Sequence, residues 1–286
     1  MEVPCPSCGQ ANPPGSRFCN ACGASTTADA APESREPAPR GRPSPASAAA
    51  AAETSTPLSP ESDPRAYTPR HLADRILNQK AGLEGERKHV TILFADLEDS
   101  SALAREIGDP EEMHRLLDRA FRRMLERVHG FEGTINQFTG DGVMALFGAP
   151  LALEDAPRRA VLAGLEIQRA LADIDAEVHE RFGRHFLMRI GIHTGPVVVG
   201  RIGDDLRMDY TAVGDTTHLA NRLQGLAPPG SILVSAATRN AAAGWFELRD
   251  FGRLEAKGVR DGVHAFEVLE ERRVHSRIEA EAERGL

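Results

Sequence analysis

Apolar periodicity along the chain first becomes regular at a short helix opened by Pro69, with Leu72, Ile76 and Leu77 at helical spacing. His89 to Asp96 is a nearly continuous apolar run, which predicts a buried strand ending on a carboxylate. Glu111 to Val128 places Met113, Leu116, Leu117, Phe121 and Leu125 on one side, which predicts an amphipathic helix. Two further apolar runs, Thr134 to Phe138 and Val143 to Phe147, are joined by Thr139-Gly140-Asp141-Gly142, whose Asp-Gly content signals a hairpin. A second long helix over Glu154 to Val178 carries Ala163, Ile167, Ala170 and Leu171 in phase, and Phe186 to His193 gives another strand. The order β-α-β-β-α-β is that of a ferredoxin-like core. Strands near Val197 to Val199, Ser231 to Val234 and Val263 to Leu269, and a helix from Gly214 to about Leu226, are appended to it. The expected class is therefore α+β with a mostly antiparallel sheet.

Composition narrows the function without naming it. The 286 residues with 41% apolar content suffice for one main core plus attachments. A net charge of −8, from 34 basic and 42 acidic residues, argues against general affinity for nucleic acid or anionic membranes. No apolar run approaches the roughly 20 residues of a membrane helix, and Met1 to Gln10 lacks the basic and apolar regions of a signal peptide. The expected location is the cytoplasm.

All four cysteines fall within the first 22 residues, as Cys5-Pro-Ser-Cys8 and Cys19-Asn-Ala-Cys22, each pair followed by a glycine. This resembles a zinc ribbon, in which four thiolates close a tetrahedral site and leave no open position, so the Zn²⁺ is structural. Two disulfides are the alternative, disfavoured by a reducing compartment. Beyond it, an Ala/Pro/Ser/Glu-rich stretch with an alanine run at Ala48 to Ala52 reads as a disordered linker.

Asp96 closes the first strand of the core and Asp141 sits in the hairpin turn, so in a ferredoxin-like sheet the two carboxylates can face each other and suit Mg²⁺ or Mn²⁺. Each alone reads as a cap or a turn residue. Their context is Glu86-Arg-Lys-His-Val-Thr-Ile-Leu-Phe-Ala-Asp-Leu97, Gly140-Asp-Gly-Val-Met-Ala-Leu-Phe-Gly148, Gly191-Ile-His-Thr-Gly195 and Tyr210-Thr-Ala-Val-Gly-Asp-Thr216. Together these resemble the class III nucleotidyl cyclases, over roughly Glu86 to Glu270. The chain then divides into a zinc ribbon (1–24), a disordered linker (25–66), an N-terminal helix and lead-in (67–85), a cyclase catalytic domain (86–270) and a charged tail (271–286).

The resemblance implies an enzyme that makes a cyclic nucleotide, ATP being the favoured substrate, with two Mg²⁺ or Mn²⁺ ions per site. It implies that Asp96 and Asp141 hold both ions with the backbone carbonyl of Leu97. One ion would lower the pKa of the ribose 3′-hydroxyl, and the other would neutralise the triphosphate. Ser100 and Ser101 would open a helix whose N–H groups suit phosphate oxygens. Arg222 matches the arginine that stabilises charge on the α-phosphate, and His218, four residues before it, stands where the family usually has asparagine. Gln137 and Thr211 stand at the base-reading positions, where adenylyl cyclases have a lysine and an aspartate. Lys257 resembles a lysine that contacts the terminal phosphates.

In the family the metal aspartates come from one catalytic domain, and the base-selecting Thr and the arginine come from its partner. This chain carries both sets, which implies a head-to-tail homodimer with two sites. The ribbon leaves room for a protein partner. Three departures favour a competing reading, a degenerate domain that binds nucleotide or a partner without turnover. Gln137 can serve adenine or guanine according to the orientation of its amide. His218 is larger than asparagine and titrates. Glu98-Asp99-Ser100-Ser101 replaces a segment with Gly and Thr, and Asp99 adds negative charge beside a triphosphate.

Overall fold

The computed structural model describes residues 3–4, 11–12, 68–79, 87–202, 208–211, 216–254 and 262–272. The four cysteines, the linker, Lys257 and the charged tail beyond Arg272 lie outside the described residues, as do the side chains of Leu77 and Thr211. The chain divides into two units, 1–54 and 55–286. In the first, strands β1 (Val3–Pro4) and β2 (Ala11–Asn12) pair antiparallel, joining the residues on either side of the Cys5 to Cys8 knuckle.

The second unit is built on an eight-stranded sheet. Its elements are α1 (Arg70–Gln79), β3 (Arg87–Leu97), α2 (Ser100–Ile107), α3 (Pro110–Gly130), β4 (Thr134–Phe138), β5 (Gly142–Phe147), α4 (Ala156–Phe182), β6 (Met188–Ile202), β7 (Met208–Thr211), α5 (Thr216–Leu226), β8 (Ile232–Ser235), α6 (Ala236–Ala241), β9 (Phe246–Leu254) and β10 (Val263–Glu271). The strands run in the order β4-β5-β3-β6-β8-β10-β9, with β7 added to β6. The first four of these are the ferredoxin-like core read from the sequence. Among the described residues, only the β6–β8 pairing is parallel.

Both faces of the central strands are covered, which is why β3 reads as an apolar run rather than as an alternation. Leu93, Ala95 and Leu97 face helices α3 and α4, in the main core with Phe121, Ile167, Ile190 and Ile192. Val90, Ile92 and Phe94 face the other way, with Met144, Leu146 and Ala220 of α5. The helices begin where local chemistry favours it. Pro110 and Pro157 occupy first-turn positions, where a missing N–H costs nothing, and the Asp109 carboxylate accepts from the Glu111 N–H at 2.9 Å.

One strand departs from the sequence reading. The strands expected over 186–193 and 197–199 merge into a single strand, β6, which begins at Met188 and runs through Gly195 and Pro196. β8 pairs only with Ile190 to Ile192 and β7 ends opposite Val198, so Pro196 falls in a gap on that side of the ladder, where its missing donor is not needed.

The α1 helix docks on the domain as its spacing requires. Leu72 and Ile76 are 1% and 0% exposed and pack with Leu151. Arg75 pairs with Glu132, which also receives Arg159 at 2.7 Å. We expect Ile76→Ala to destabilise the protein by about 2–5 kcal/mol through the cavity left behind, read as a lower urea midpoint at unchanged slope.

Candidate active site

The β4–β5 hairpin and the end of β3 bring the acidic residues together. Asp96 lies opposite Gly142 on β5 and opposite Arg189 on β6. The turn before Gly142 is closed by the Thr139 N–H donating to the Gly142 carbonyl at 2.9 Å, and it carries Asp141 beside Asp96. Gly142 is required there because a Cβ would collide with the Ala95 carbonyl oxygen and the Asp96 carboxylate. Alternation along β3 turns Asp96 to the same face as Phe94, away from the main core.

Electrostatics at this point are unfavourable for a bare protein. Burial and, next, the Asp141 carboxylate raise the Asp96 pKa from 3.8 to about 7, and the two side chains lie within hydrogen-bonding reach; Arg189 acts in the opposite direction. Arg189 is itself ion-paired with Glu98. Two converging carboxylates that repel each other in this way are a donor set suited to a hard divalent cation. Leu97, 4% exposed, anchors the backbone that follows Asp96.

Asp96 opens into a cleft of about 360 Å³ whose other walls are Phe94, Gln137, Thr139 and, on α5, Thr217, His218, Asn221 and Gln224. Gln137 reaches it through a β-bulge. Ile135 pairs with Ala145 and Gln137 with Met144, so Asn136 is the extra residue. Ile135 and Phe138 both face the helices, and the bulge places Gln137 on the opposite side, across from Met144. Strict alternation would have put Gln137 on the face of Ile135.

Helix α5 lies directly on β6. Thr216 Oγ1 donates to the Pro196 carbonyl at 2.8 Å, and a Cβ on Gly191 would meet the Gln224 N and the Ala220 O. Thr216, Ala220, Leu223 and Gln224 are its buried stripe. His218 and Asn221 stand on the cleft side, whereas exposed Arg222 does not line the cleft. The rest of the Gly191-Ile-His-Thr-Gly195 motif serves the fold. Burial, with a lesser contribution from His89, lowers the His193 pKa to about 4, and its Nδ1 lies 2.7 Å from the Ser235 hydroxyl. Hydroxyl contacts then run through Thr238 and Thr194 to Thr91.

After β3, Asp99 has φ 48° and ψ 41° and precedes α2 without a side-chain capping bond. This left-handed conformation is natural for glycine and tolerated by Asp, which explains why Asp can stand in this turn. Ser100 and Ser101 form the first turn of α2. Thr211 pairs through its backbone with Val198.

Comparison with known proteins decides the family. Residues 84–270 match the model of the adenylate and guanylate cyclase catalytic domain, and residues 5–26 match a zinc-ribbon domain. The chain belongs to the adenylate and guanylate cyclase family. The chain is 32% identical over 207 residues to Adenylate cyclase 1 of Rhizobium meliloti, covering 71% of the chain and 31% of that protein. It thus spans about a third of the length of the curated relatives it matches. Its fold is similar to the guanylyl cyclase Cya2, with TM-score 0.61 and 34% identity over 68% of this chain and 98% of that one. The adenylyl cyclase CyaB from P. aeruginosa is similar at TM-score 0.61 and 31% identity, covering 67% and 98%. Among the described residues, no helix is long and apolar enough to cross a membrane.

Of the residues singled out in the sequence, Asp96, Gln137 and His218 share the cleft, Asp141 joins Asp96, and Arg222 is exposed outside the cleft lining. Thr139, Thr217, Asn221 and Gln224 were not anticipated. Asn221 was within reach of the sequence, since it lies three residues after His218 on a helix already predicted.

Proposed function

We propose that this protein is an adenylyl cyclase that converts ATP to 3′,5′-cyclic AMP and pyrophosphate at sites shared by two head-to-tail copies. The observation that carries the reading is the carboxylate pair, Asp96 and Asp141, converging where the end of β3 meets the β4–β5 turn, a donor set suited to divalent cations. Two Mg²⁺ or Mn²⁺ ions held by Asp96, Asp141 and the Leu97 carbonyl would supply acidification of the 3′-hydroxyl and neutralisation of the triphosphate. The 3′-oxygen forms the new bond to the α-phosphorus as the bond to pyrophosphate breaks, and the hydroxyl proton goes to solvent.

The chain's own groups position and select. Gln137 presents an amide to the base edge, with Thr211 as the second reader. His218 orients the ribose, Ser100 and Ser101 open α2 toward the phosphates, and Lys257 contacts the terminal ones. Arg222 is exposed and does not line its own cleft, which suits a role in the site of a second copy, where its fork would stabilise charge on the α-phosphate. The four thiolates at Cys5, Cys8, Cys19 and Cys22 form the donor set of a structural zinc site in a regulatory or docking appendage.

A GTP-using variant of the same chemistry is supported by one observation: the Gln137 amide has both a donor and an acceptor, and so fits either purine. Purified protein incubated with each nucleoside triphosphate and Mg²⁺ or Mn²⁺ is expected to give cyclic AMP, identified by mass spectrometry. Another cyclic nucleotide overturns the substrate. No product at concentrations where a dimer is demonstrated overturns the enzyme. Arg222→Ala is expected to lower kcat by roughly 10²–10³-fold, and mixing it with Asp96→Asn should restore activity, because such a heterodimer retains one intact site.

A further inference from the structure

One row of residues crosses the sheet beneath the cleft. Gln137, Met144, Phe94 and Gly191 stand opposite one another on β4, β5, β3 and β6, and directly opposed residues share a face. Met144 and Phe94, 2% and 6% exposed, make the middle of the row apolar. Gly191 has no side chain, and Gln224 of α5 lies over it, since an added Cβ would meet the Gln224 N and Cα. The row therefore has an amide at each end, one carried by the sheet and the other by the helix, and both line the cleft. Three strand spacings of about 4.8 Å separate the ends, roughly 14 Å in all, which admits one planar heterocycle between two glutamine side chains.

Gln224 is the odd member of the buried stripe of α5. Ala220 and Leu223 are apolar and the Thr216 hydroxyl donates to the Pro196 carbonyl. Gln224 is a polar residue only 9% exposed, and among the described residues its side chain makes no hydrogen bond. Its backbone carbonyl already receives the Ala227 N–H at 3.1 Å, so the main chain there makes no call on the amide. A largely buried amide without a partner is costly, and a ligand that pairs it recovers that cost.

We propose that Gln224 is a specificity-determining residue of this cleft, pairing with one edge of an adenine ring that lies against Phe94 while Gln137 pairs with the next edge. This role rests on the proposed reading of the cleft as a nucleotide site, and goes beyond Gln137 and Thr211 in setting which purine fits. An amide offers one donor and one acceptor side by side. Adenine answers that pair on two neighbouring edges, with N6–H and N1 on one and N6–H and N7 on the other. Guanine answers it with N1–H and O6 but not on the next edge, where O6 and N7 are both acceptors. The second amide would then turn its oxygen to an acceptor or stay half unpaired. Gln137 alone accommodates either purine; the two amides together favour adenine.

The test titrates the full chain with adenosine, guanosine and purine riboside, which lacks the 6-amino group, in excess EDTA with calorimetric detection. Nucleosides carry no phosphate, so the readout needs neither metal nor turnover. We expect adenosine to saturate the wild type with a Kd of roughly 1 mM or below, and at least about tenfold more tightly than guanosine or purine riboside. Gln224→Met, close in volume and without the amide, should weaken adenosine at least about tenfold and bring it level with guanosine. A glutamine with a structural role alone would leave the adenosine to guanosine ratio unchanged even where both weaken. Circular dichroism checks folding, and Gln224→Leu is the second variant should the first not fold. Loss of the preference without any cyclic product from ATP supports the role of Gln224 and removes only the enzyme. An unchanged ratio in the folded variant overturns Gln224 while leaving the cleft a nucleoside site. Guanosine bound more tightly than adenosine by the wild type overturns the adenine assignment, and no saturation by ~10 mM overturns the purine reading of the cleft and the role of Gln224 with it.

Discussion

Asp96→Asn is expected to remove cyclic nucleotide formation by about 10³-fold or more, while making the metal-free protein more stable at pH 8. The two effects share one cause. The Asp96 pKa rises from 3.8 to about 7 on folding, so the folded state binds more protons than the unfolded chain within that interval. Stability of the metal-free wild type therefore falls as pH rises from about 4 to about 7, and the penalty is full above 7. An asparagine carries no charge to penalise. Adding Mg²⁺ or Mn²⁺ at pH 8 should raise the melting temperature of the wild type and leave the variant nearly unmoved, because a ligand that binds only the folded state stabilises it. Melting curves at pH 5 and pH 8, with and without metal, test this. A variant that melts below metal-free wild type at pH 8, or that keeps the metal response, defeats the assignment of Asp96.

The second large effect is at a residue with no side chain. A methyl group at Gly191 would meet the Gln224 N and the Ala220 O, and would stand 2.7 Å from the Gln224 Cα. These are backbone atoms that no rotamer change can move aside, so α5 must lift from the sheet. We expect Gly191→Ala to cost about 1–3 kcal/mol as overpacking. Catalysis should fall further, by about 100-fold, because displacement on the order of 1 Å is enough to spoil a reacting geometry. Gly225→Ala is the control. It sits on the exposed side of the same helix with nothing within 4 Å of the added carbon, and should be neutral or slightly stabilising. Melting temperature and kcat, measured together, separate the two sites; an active, unperturbed Gly191→Ala protein would show that α5 need not be held at this distance.

The core was legible because both of its long helices carry apolar stripes in phase and the Asp-Gly turn announces the hairpin. The acidic pair was legible for the same reason, since one member ends a strand and the other sits in that turn. Strand β9 was not legible. Phe246 to Leu254 places Glu247, Arg249, Asp250 and Arg253 among its apolar residues, as an outermost strand can, and no alternation survives. The bulge at Asn136 was equally hidden, because nothing in Ile135-Asn136-Gln137 marks an extra residue, yet it decides which face Gln137 occupies. The exposure of Arg222 follows from which stripe of α5 is buried. That in turn depends on Gly191 more than 30 residues earlier, so spacing within the helix could not reveal it.

The β4–β5 hairpin holds Asp141, the proposed metal-binding carboxylate, at its tip and Gln137, the proposed base reader, on its stem, four residues apart. In the proposed head-to-tail pair those two residues belong to different sites. Each hairpin is then a rigid lever spanning both sites, and a substrate that tilts it while filling one of them resets the selector of the other. The two sites of such a dimer are mechanically unequal as soon as one is occupied, and saturation curves that depart from a simple hyperbola are the natural signature of that asymmetry.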